Sequence, residues 1–379
     1  MKTRGGQKAV FIHSAELEKY HYPTENPFRT ERAAITCQML TSMGLLSASE
    51  ILAPAPAGRE ALERFHTPRY LDTILRAEKG DLDVSGLYMG LGSAECPVFV
   101  GMYEYAALAC GATLAGADAV LSGAASVAFN PSGGYHHARP EKAAGFCYMN
   151  DIVLACMRLA DASKRVLFLD IDVHHCDGVQ DAFYDRNDIM TMSFHESGKT
   201  LFPGTGFENE IGVGSGRGYS INVPLPAGTY DGAYIKAFNA VAVPIAKAFD
   251  PDVIVLEIGM DCLAGDPLAH LELTNNAYAE VVEIVTAFGK PMLATGGGGY
   301  HPRNTSRGWA LVWSIMSGRD KQAALDHGLG GVMLESTDWQ GGLRDRVLAP
   351  SAQQQRTVDR CVDATIERVK ANVFPFHGL

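Results

Sequence analysis

The sequence predicts an α/β fold: a mostly parallel central sheet with helices on both faces, in a single domain. Two observations carry this. From residue 126 onward, short apolar runs alternate with polar loops and helix-length stretches, the rhythm of a parallel sheet covered by helices. And every cluster of chemically capable residues follows an apolar run and never precedes one. In open α/β sheets the binding crevice lies outside the carboxyl ends of the strands. Residues far apart in the chain are therefore expected to gather at one edge.

Taken in order, residues 9–13 read as an opening strand. The loop-like stretch H-Y-P-T-E-N-P-F-R-T-E-R (21–32) leads to a helix from near Thr30. Residues 60–78 look helical, 86–92 form a Gly-rich passage, and the alanine-rich 103–121 reads as a packed helix. Strands are expected at 127–129, 166–169, 189–194, 219–225, 253–258 and 291–295. Between them lie helices at 151–159, 231–249 and 276–288, with another running to about 316. Residues 318–355 are more polar, suggesting a peripheral segment, and a helix over 358–373 closes the chain.

The 379 residues are 47% hydrophobic and 20% charged, enough for a large core. A net charge of −11 argues against gripping a nucleic acid backbone and suits a positively charged partner or substrate tail. No apolar run approaches a membrane span and no signal-type h-region follows the N-terminus, so a soluble, cytoplasmic protein is expected. Eight scattered cysteines without a C-x-x-C pair argue against a disulfide framework. Most read as small buried apolar residues, although Cys147, Cys176 and Cys262 adjoin candidate site residues.

The chemistry centres on R-V-L-F-L-D-I-D-V-H-H-C-D-G (165–178). If the strand persists, Asp170, Asp172 and His174, at i, i+2 and i+4, leave one face. Two carboxylates and an imidazole are costly to bury unpaired, and a divalent cation offsets that cost; the bland alternative is an acidic loop that contains histidine. Asp261, after V-I-V-L-E-I-G-M, would complete a set with Asp172 and His174, or would be a turn aspartate. Three protein ligands leave a position open for catalysis, and the donor set suits Zn²⁺ but also Fe²⁺ or Mn²⁺. His136 and His137 follow Gly133 and Gly134, with Asp170 and Asp177 free to orient one imidazole each. Tyr300 follows Gly296 to Gly299, a run that lacks the Lys-Ser/Thr of a P-loop and reads as flexible backbone delivering the hydroxyl to the metal. Phe146 and Phe202 lie in loops, G-F-C and L-F-P-G, where an exposed aromatic needs a reason; the alternative is ordinary core packing.

G-G-Y-H-H-A-R-P, G-F-C-Y-M-N-D, L-D-I-D-V-H-H-C-D-G, F-P-G-T-G, D-C-L-A-G-D-P and G-G-G-G-Y-H-P-R-N together resemble the zinc-dependent histone deacetylases and their bacterial acetoin-utilisation relatives, over about residues 10–317. The resemblance implies the arginase–deacetylase fold and hydrolysis of acetyl-lysine or a related short acyl-lysine in peptides or proteins. Asp172, His174 and Asp261 would hold zinc. His137, backed by Asp177, would be general base and then acid; His136, backed by Asp170, would help electrostatically, and Tyr300 would stabilise the oxyanion. Phe146 and Phe202 would sandwich the lysine methylenes, the Gly145 carbonyl would take the amide N–H, and Arg32 would line an internal channel. Potassium sites would match Asp170, Asp172, His174, Ser193 and Phe194, and Phe183, Arg186, Ile189 and Tyr219.

Three departures stand out. Glu95 replaces an aspartate that grips the substrate backbone in many relatives. Cys176 replaces a glycine beside the metal and predicts a site that oxidants inactivate. Leu268 stands where polyamine-selective relatives carry glutamate, and an apolar residue there disfavours a cationic polyamine and favours acyl-lysine. The competing readings are an acetylpolyamine or other small-molecule deacylase, an arginase-like binuclear manganese hydrolase, against which Tyr300 and the tandem histidines argue, and a silent acyl-lysine binding protein. Oligomeric state is open.

Overall fold

Eight parallel strands form one sheet in the computed structural model, which describes residues 8–320 and 343–379. The strands are β1 (Ala9–Ile12), β2 (Ile51–Leu52), β3 (Val127–Asn130), β4 (Val166–Asp170), β5 (Ile189–Glu196), β6 (Ser220–Leu225), β7 (Val253–Glu257) and β8 (Met292–Thr295). The helices among the described residues are α1 (Arg32–Ser42), α2 (Arg59–Leu62), α3 (Pro68–Ala77), α4 (Val84–Tyr88), α5 (Met102–Leu121), α6 (Asp151–Asp161), α7 (Asp177–Phe183), α8 (Asp231–Phe249), α9 (Asn275–Ala287), α10 (Pro302–Met316) and α11 (Ala352–Val373).

The strand order is β2-β1-β3-β8-β7-β4-β5-β6. All neighbouring pairs are parallel. Side-chain alternation decides which layer each strand residue meets. In β4, Leu167 and Leu169 pack into the core shared with α1, α8, α9, α10 and α11, while Val166 and Phe168 meet α5, α6 and α7. Both faces are thus covered, so β4 reads as a continuous apolar run.

Local chemistry explains where the expected elements shift. The single helix expected over 60–78 breaks at Thr67, whose hydroxyl accepts the Tyr70 N–H while Pro68 occupies the first turn of α3. The Gly-rich passage contains one helical turn, α4, capped by Asp83. β2 and α7 escape sequence reading because two and seven residues carry little periodicity. The last helix starts at Ala352, six residues earlier than expected, because Ser351 and Gln354 form a capping box. Its apolar stripe, Val358, Val362, Ile366, Val369 and Val373, joins the main core. Of the polar segment expected at 318–355, residues 321–342 lie outside the described residues. No helix among the described residues is long and apolar enough to cross a membrane.

Candidate active site

β3, β8, β7 and β4 lie side by side in the middle of the sheet, and the loops leaving their carboxyl ends carry the chemistry. The loop after β4 is not the extended strand expected from the i, i+2, i+4 spacing: β4 ends at Asp170. Asp170 Oδ1 accepts the Asp172 N–H at 2.8 Å, and Asp172 Oδ1 accepts the His174 N–H at 2.8 Å. Each carboxylate caps the backbone two residues on, which bends the chain. Asp170 consequently turns away to His136, while Asp172 and His174 face Asp261.

His174 Nδ1 lies 3.1 Å from Asp172 Oδ1 and 3.1 Å from Asp261 Oδ2. One ligand atom from each of the three lies within 4.8 Å of the others, so these residues could hold a metal ion. Burial opposes charge on His174, but the two carboxylates outweigh it and raise the imidazole pKa to about 10. Asp172 is held below its ordinary range despite burial, by the neighbouring His136 and His174, and burial followed by the Asp172 charge lifts Asp261 to about 7. The point where the three converge therefore favours positive charge, and the oxygen–nitrogen donor set fits Zn²⁺.

The four-glycine run is required for close approach and not for flexibility. A Cβ on Gly298 would stand 1.9 Å from Asp261 Oδ2. The Gly298 N–H donates to Asp172 Oδ2 at 2.7 Å. Tyr300 follows, its N–H bound to Asp266 Oδ2 at 2.8 Å and its ring 6.4 Å from the His174 ring. Burial, then Asp261 and Asp172, keep its phenol protonated.

His136 and His137 are aimed by Asp151 at the start of α6, which accepts the Gly134 and Tyr135 N–H groups. Their Nε2 atoms are 2.9 Å apart. His137 Nδ1 lies 2.7 Å from Asp177 Oδ1, whose other oxygen accepts from Arg139 at 3.0 Å. His136 Nδ1 lies 2.9 Å from Asp170 Oδ2 and 3.1 Å from Glu257 Oε2. Burial lowers the proton affinity of both rings. For His136 the carboxylates of Glu257, Asp170 and Asp172 reverse that effect, whereas His137, beside a charged His136, falls to about 4. The electrostatics thus push the proton affinities of two adjacent histidines in opposite directions.

Above this floor stand the aromatics. The Phe146 ring is 5.5 Å from Tyr300, and the Phe202 ring is 5.0 Å from His137 and 6.3 Å from His174. Gly145, at φ +51°, passes so close that a Cβ would meet His137 Cδ2 at 2.3 Å. Its N–H donates to Glu95 Oε2 at 3.2 Å, and Cys147 Sγ lies 3.2 Å from its carbonyl. Leu268 is half-buried, its N–H on Asp266 Oδ1 at 2.9 Å. Arg32 is buried behind the site, donating to the Gly299 carbonyl at 2.8 Å and lying over Phe28 and Trp309.

The other residues that the resemblance matches to potassium sites lie along β5 and beside it. Ser193 Oγ is 2.7 Å from His195 Nδ1, and Phe194 is fully buried. Arg186 N–H donates to the Phe183 carbonyl at 3.0 Å, Thr191 N–H to the Tyr219 carbonyl at 2.9 Å, and Ile189 opens β5. Cys176 is corrected: it is 1% exposed, and burial followed by the Asp170 charge pushes its thiol well above the ordinary range. A buried thiol held protonated is a poor target for oxidants.

Glu257 is one residue that sequence reading missed. It ends β7 fully buried, and the signal was an acid closing the apolar run V-I-V-L-E. Asp151, Asp266 and Arg139 were missed because the contacts that tie them to the site, to Gly134 and Tyr135, to Tyr300 and to Asp177, are distant in sequence.

Residues 26–316 match the family model described as the histone deacetylase domain. The chain belongs to the histone deacetylase family. It is 41% identical over 320 residues to the acetoin utilization protein AcuC of Bacillus subtilis, covering 82% of this chain and 83% of that one. It is 38% identical over 321 residues to histone deacetylase 8 of Xenopus tropicalis, covering 84% and 86%. A solved structure of an HDAC homolog from Aquifex aeolicus superposes with a TM-score of 0.86 at 34% identity, covering 96% of this chain and all of that one. An HDAC homolog complexed with SAHA gives the same score at 33% identity and the same coverage. The fold is that of the family, and the chain is a deacetylase-type hydrolase of a metal-dependent family.

Proposed function

We propose that the protein removes acetyl or a related short acyl group from lysine side chains of peptides or proteins, with Zn²⁺ held by Asp172, His174 and Asp261. The observation that carries this is the convergence of those three ligand atoms beside a carboxylate-backed histidine pair and between Phe146, Phe202 and Tyr300. A divalent cation there supplies Lewis acidity toward water and the amide carbonyl.

The chain's own residues do the rest. His137 Nε2 takes a proton from the attacking water, with Nδ1–H donated to Asp177, and returns it to the lysine nitrogen as the C–N bond breaks. Tyr300 donates its hydroxyl proton in a hydrogen bond to the carbonyl oxygen as negative charge grows there. His136, charged and backed by Asp170, stabilises that charge. Phe146 and Phe202 flank the lysine methylenes, the Gly145 carbonyl takes the amide N–H, and Glu95 borders the entrance. Arg32 lines the channel behind the metal. K⁺ would bind at Asp170, Asp172, His174, Ser193 and Phe194, and again at Phe183, Arg186, Ile189 and Tyr219.

The whole chain is read as one such domain, acting in the cytoplasm. Half-buried Leu268 offers no charge for a polyamine, which favours acyl-lysine. The test is turnover of a panel of acyl-lysine peptides and acetylpolyamines by the metal-loaded protein, with Tyr300→Phe and His137→Ala as controls. Acyl-lysine hydrolysis lost in both controls is expected. Preferred turnover of acetylpolyamines, or metal binding without hydrolysis of any acyl-lysine, would overturn the reading.

A further inference from the structure

We propose that Glu196 is a positioning residue that clamps two loops of the site entrance together and so sets how tightly a substrate side chain is held. Glu196 ends β5 with its side chain fully buried. Its carboxylate reaches in two directions. Oε1 accepts the Thr200 hydroxyl at 2.9 Å, in the loop that carries Phe202 two residues on. Oε2 accepts the His270 backbone N–H at 2.9 Å, and Oε1 lies 3.0 Å from His270 Nδ1, in the loop that carries Leu268 two residues before.

The clamp is anchored below and continued above. The Glu196 N–H donates to the Val173 carbonyl at 2.8 Å, between Asp172 and His174. On the far side, Asp266 binds both the Leu268 N–H and the Tyr300 N–H. Two carboxylates therefore link the Phe202 loop, through the His270 loop, to Tyr300. A buried acid is costly unless its donors are complete. Here it has a hydroxyl from the Phe202 loop and a main-chain N–H and an imidazole N–H from the His270 loop, so outward movement of either loop strips the buried carboxylate of part of its donors. His270 itself is 62% exposed in its side chain, so it contributes little packing and serves mainly as a donor.

The clamp lies outside the reacting groups, so it acts on retention and not on chemistry. This rests on the acyl-lysine reading, and two measurements keep the two claims apart: steady-state kinetics on an acetyl-lysine peptide, and dissociation of a fluorescent hydroxamate with a lysine-length linker, which needs no turnover. For Glu196→Ala the expected result is KM and the hydroxamate off-rate raised about tenfold, some 1.4 kcal/mol, with kcat within about twofold. Glu196→Gln should restore both, since its oxygen can accept the His270 N–H while its amide donates to His270 Nδ1 in the other tautomer. Unchanged KM and off-rate in Glu196→Ala would overturn the proposal. So would a loss of kcat and melting temperature that Glu196→Gln does not restore. An inactive parent that still shows the off-rate difference would sink the acyl-lysine reading and leave the clamp standing.

Discussion

Asp177→Asn tests the assignment of His137 as the proton carrier. Asp177 Oδ1 lies 2.7 Å from His137 Nδ1 and also accepts the Gly178 N–H at 3.0 Å, while Oδ2 takes Arg139. Two donors on one oxygen orient the asparagine amide, its carbonyl toward His137 and its NH₂ toward Arg139. Arg139 can yield, because it is 37% exposed and also pairs with Asp181. The tautomer of His137 therefore survives, and only the negative charge behind it is lost. Charge-assisted hydrogen bonds contribute about 1.5–3 kcal/mol and neutral ones about 0.5–1.5 kcal/mol. The difference, about 1–2 kcal/mol, appears when His137 becomes cationic and corresponds to roughly a 5- to 30-fold fall in kcat. Asp177 is 10% exposed, so solvent screens little of it. The assay is steady-state deacetylation of an acetyl-lysine peptide at fixed metal loading, with thermal melting to confirm the fold. A kcat within about twofold of the parent would show that His137 never carries the proton.

Gly298→Ala should abolish metal binding, since its Cβ would stand 1.9 Å from Asp261 Oδ2; elemental analysis after dialysis against limiting zinc should give a stoichiometry near zero, with circular dichroism unchanged. Cys176→Gly should lose activity to peroxide as fast as the parent, because the thiol is buried and protonated; clear protection by the substitution would refute this. His195 is buried between Ser193 and the Gly206 carbonyl, and burial, then the His175 charge, push its pKa down to about 3. Its ordinary value is 6.5, so the unfolded chain binds the extra proton between pH 6.5 and 3; stability is full above that window and falls as the pH drops through it, by up to about 1.4 kcal/mol per pH unit from this group. Melting temperatures from pH 7.5 to 4.5 should decline less steeply in His195→Gln, and equal slopes would remove His195 as a contributor.

The sequence by itself determined the alternation of apolar runs and helices, because hydrophobic periodicity is a local property that needs no partner. It also determined which loops carry chemistry, because aspartate and histidine directly after a buried run are too costly to be incidental; that the four glycines before Tyr300 serve close approach and not flexibility was decided by the structure. The bend after Asp170 was not legible, since the spacing D-x-D-x-H fits an extended face as well as successive carboxylate caps, and only the backbone N–H groups choose between them. Nor were the strand order, the Glu257 carboxylate beside His136, or the Glu196 contact with His270. These are pairings between residues on different strands and loops. No local period encodes them, and they exist only once the sheet has set β3, β8, β7, β4 and β5 next to one another, where burial makes each unpaired polar group costly enough to fix its partner.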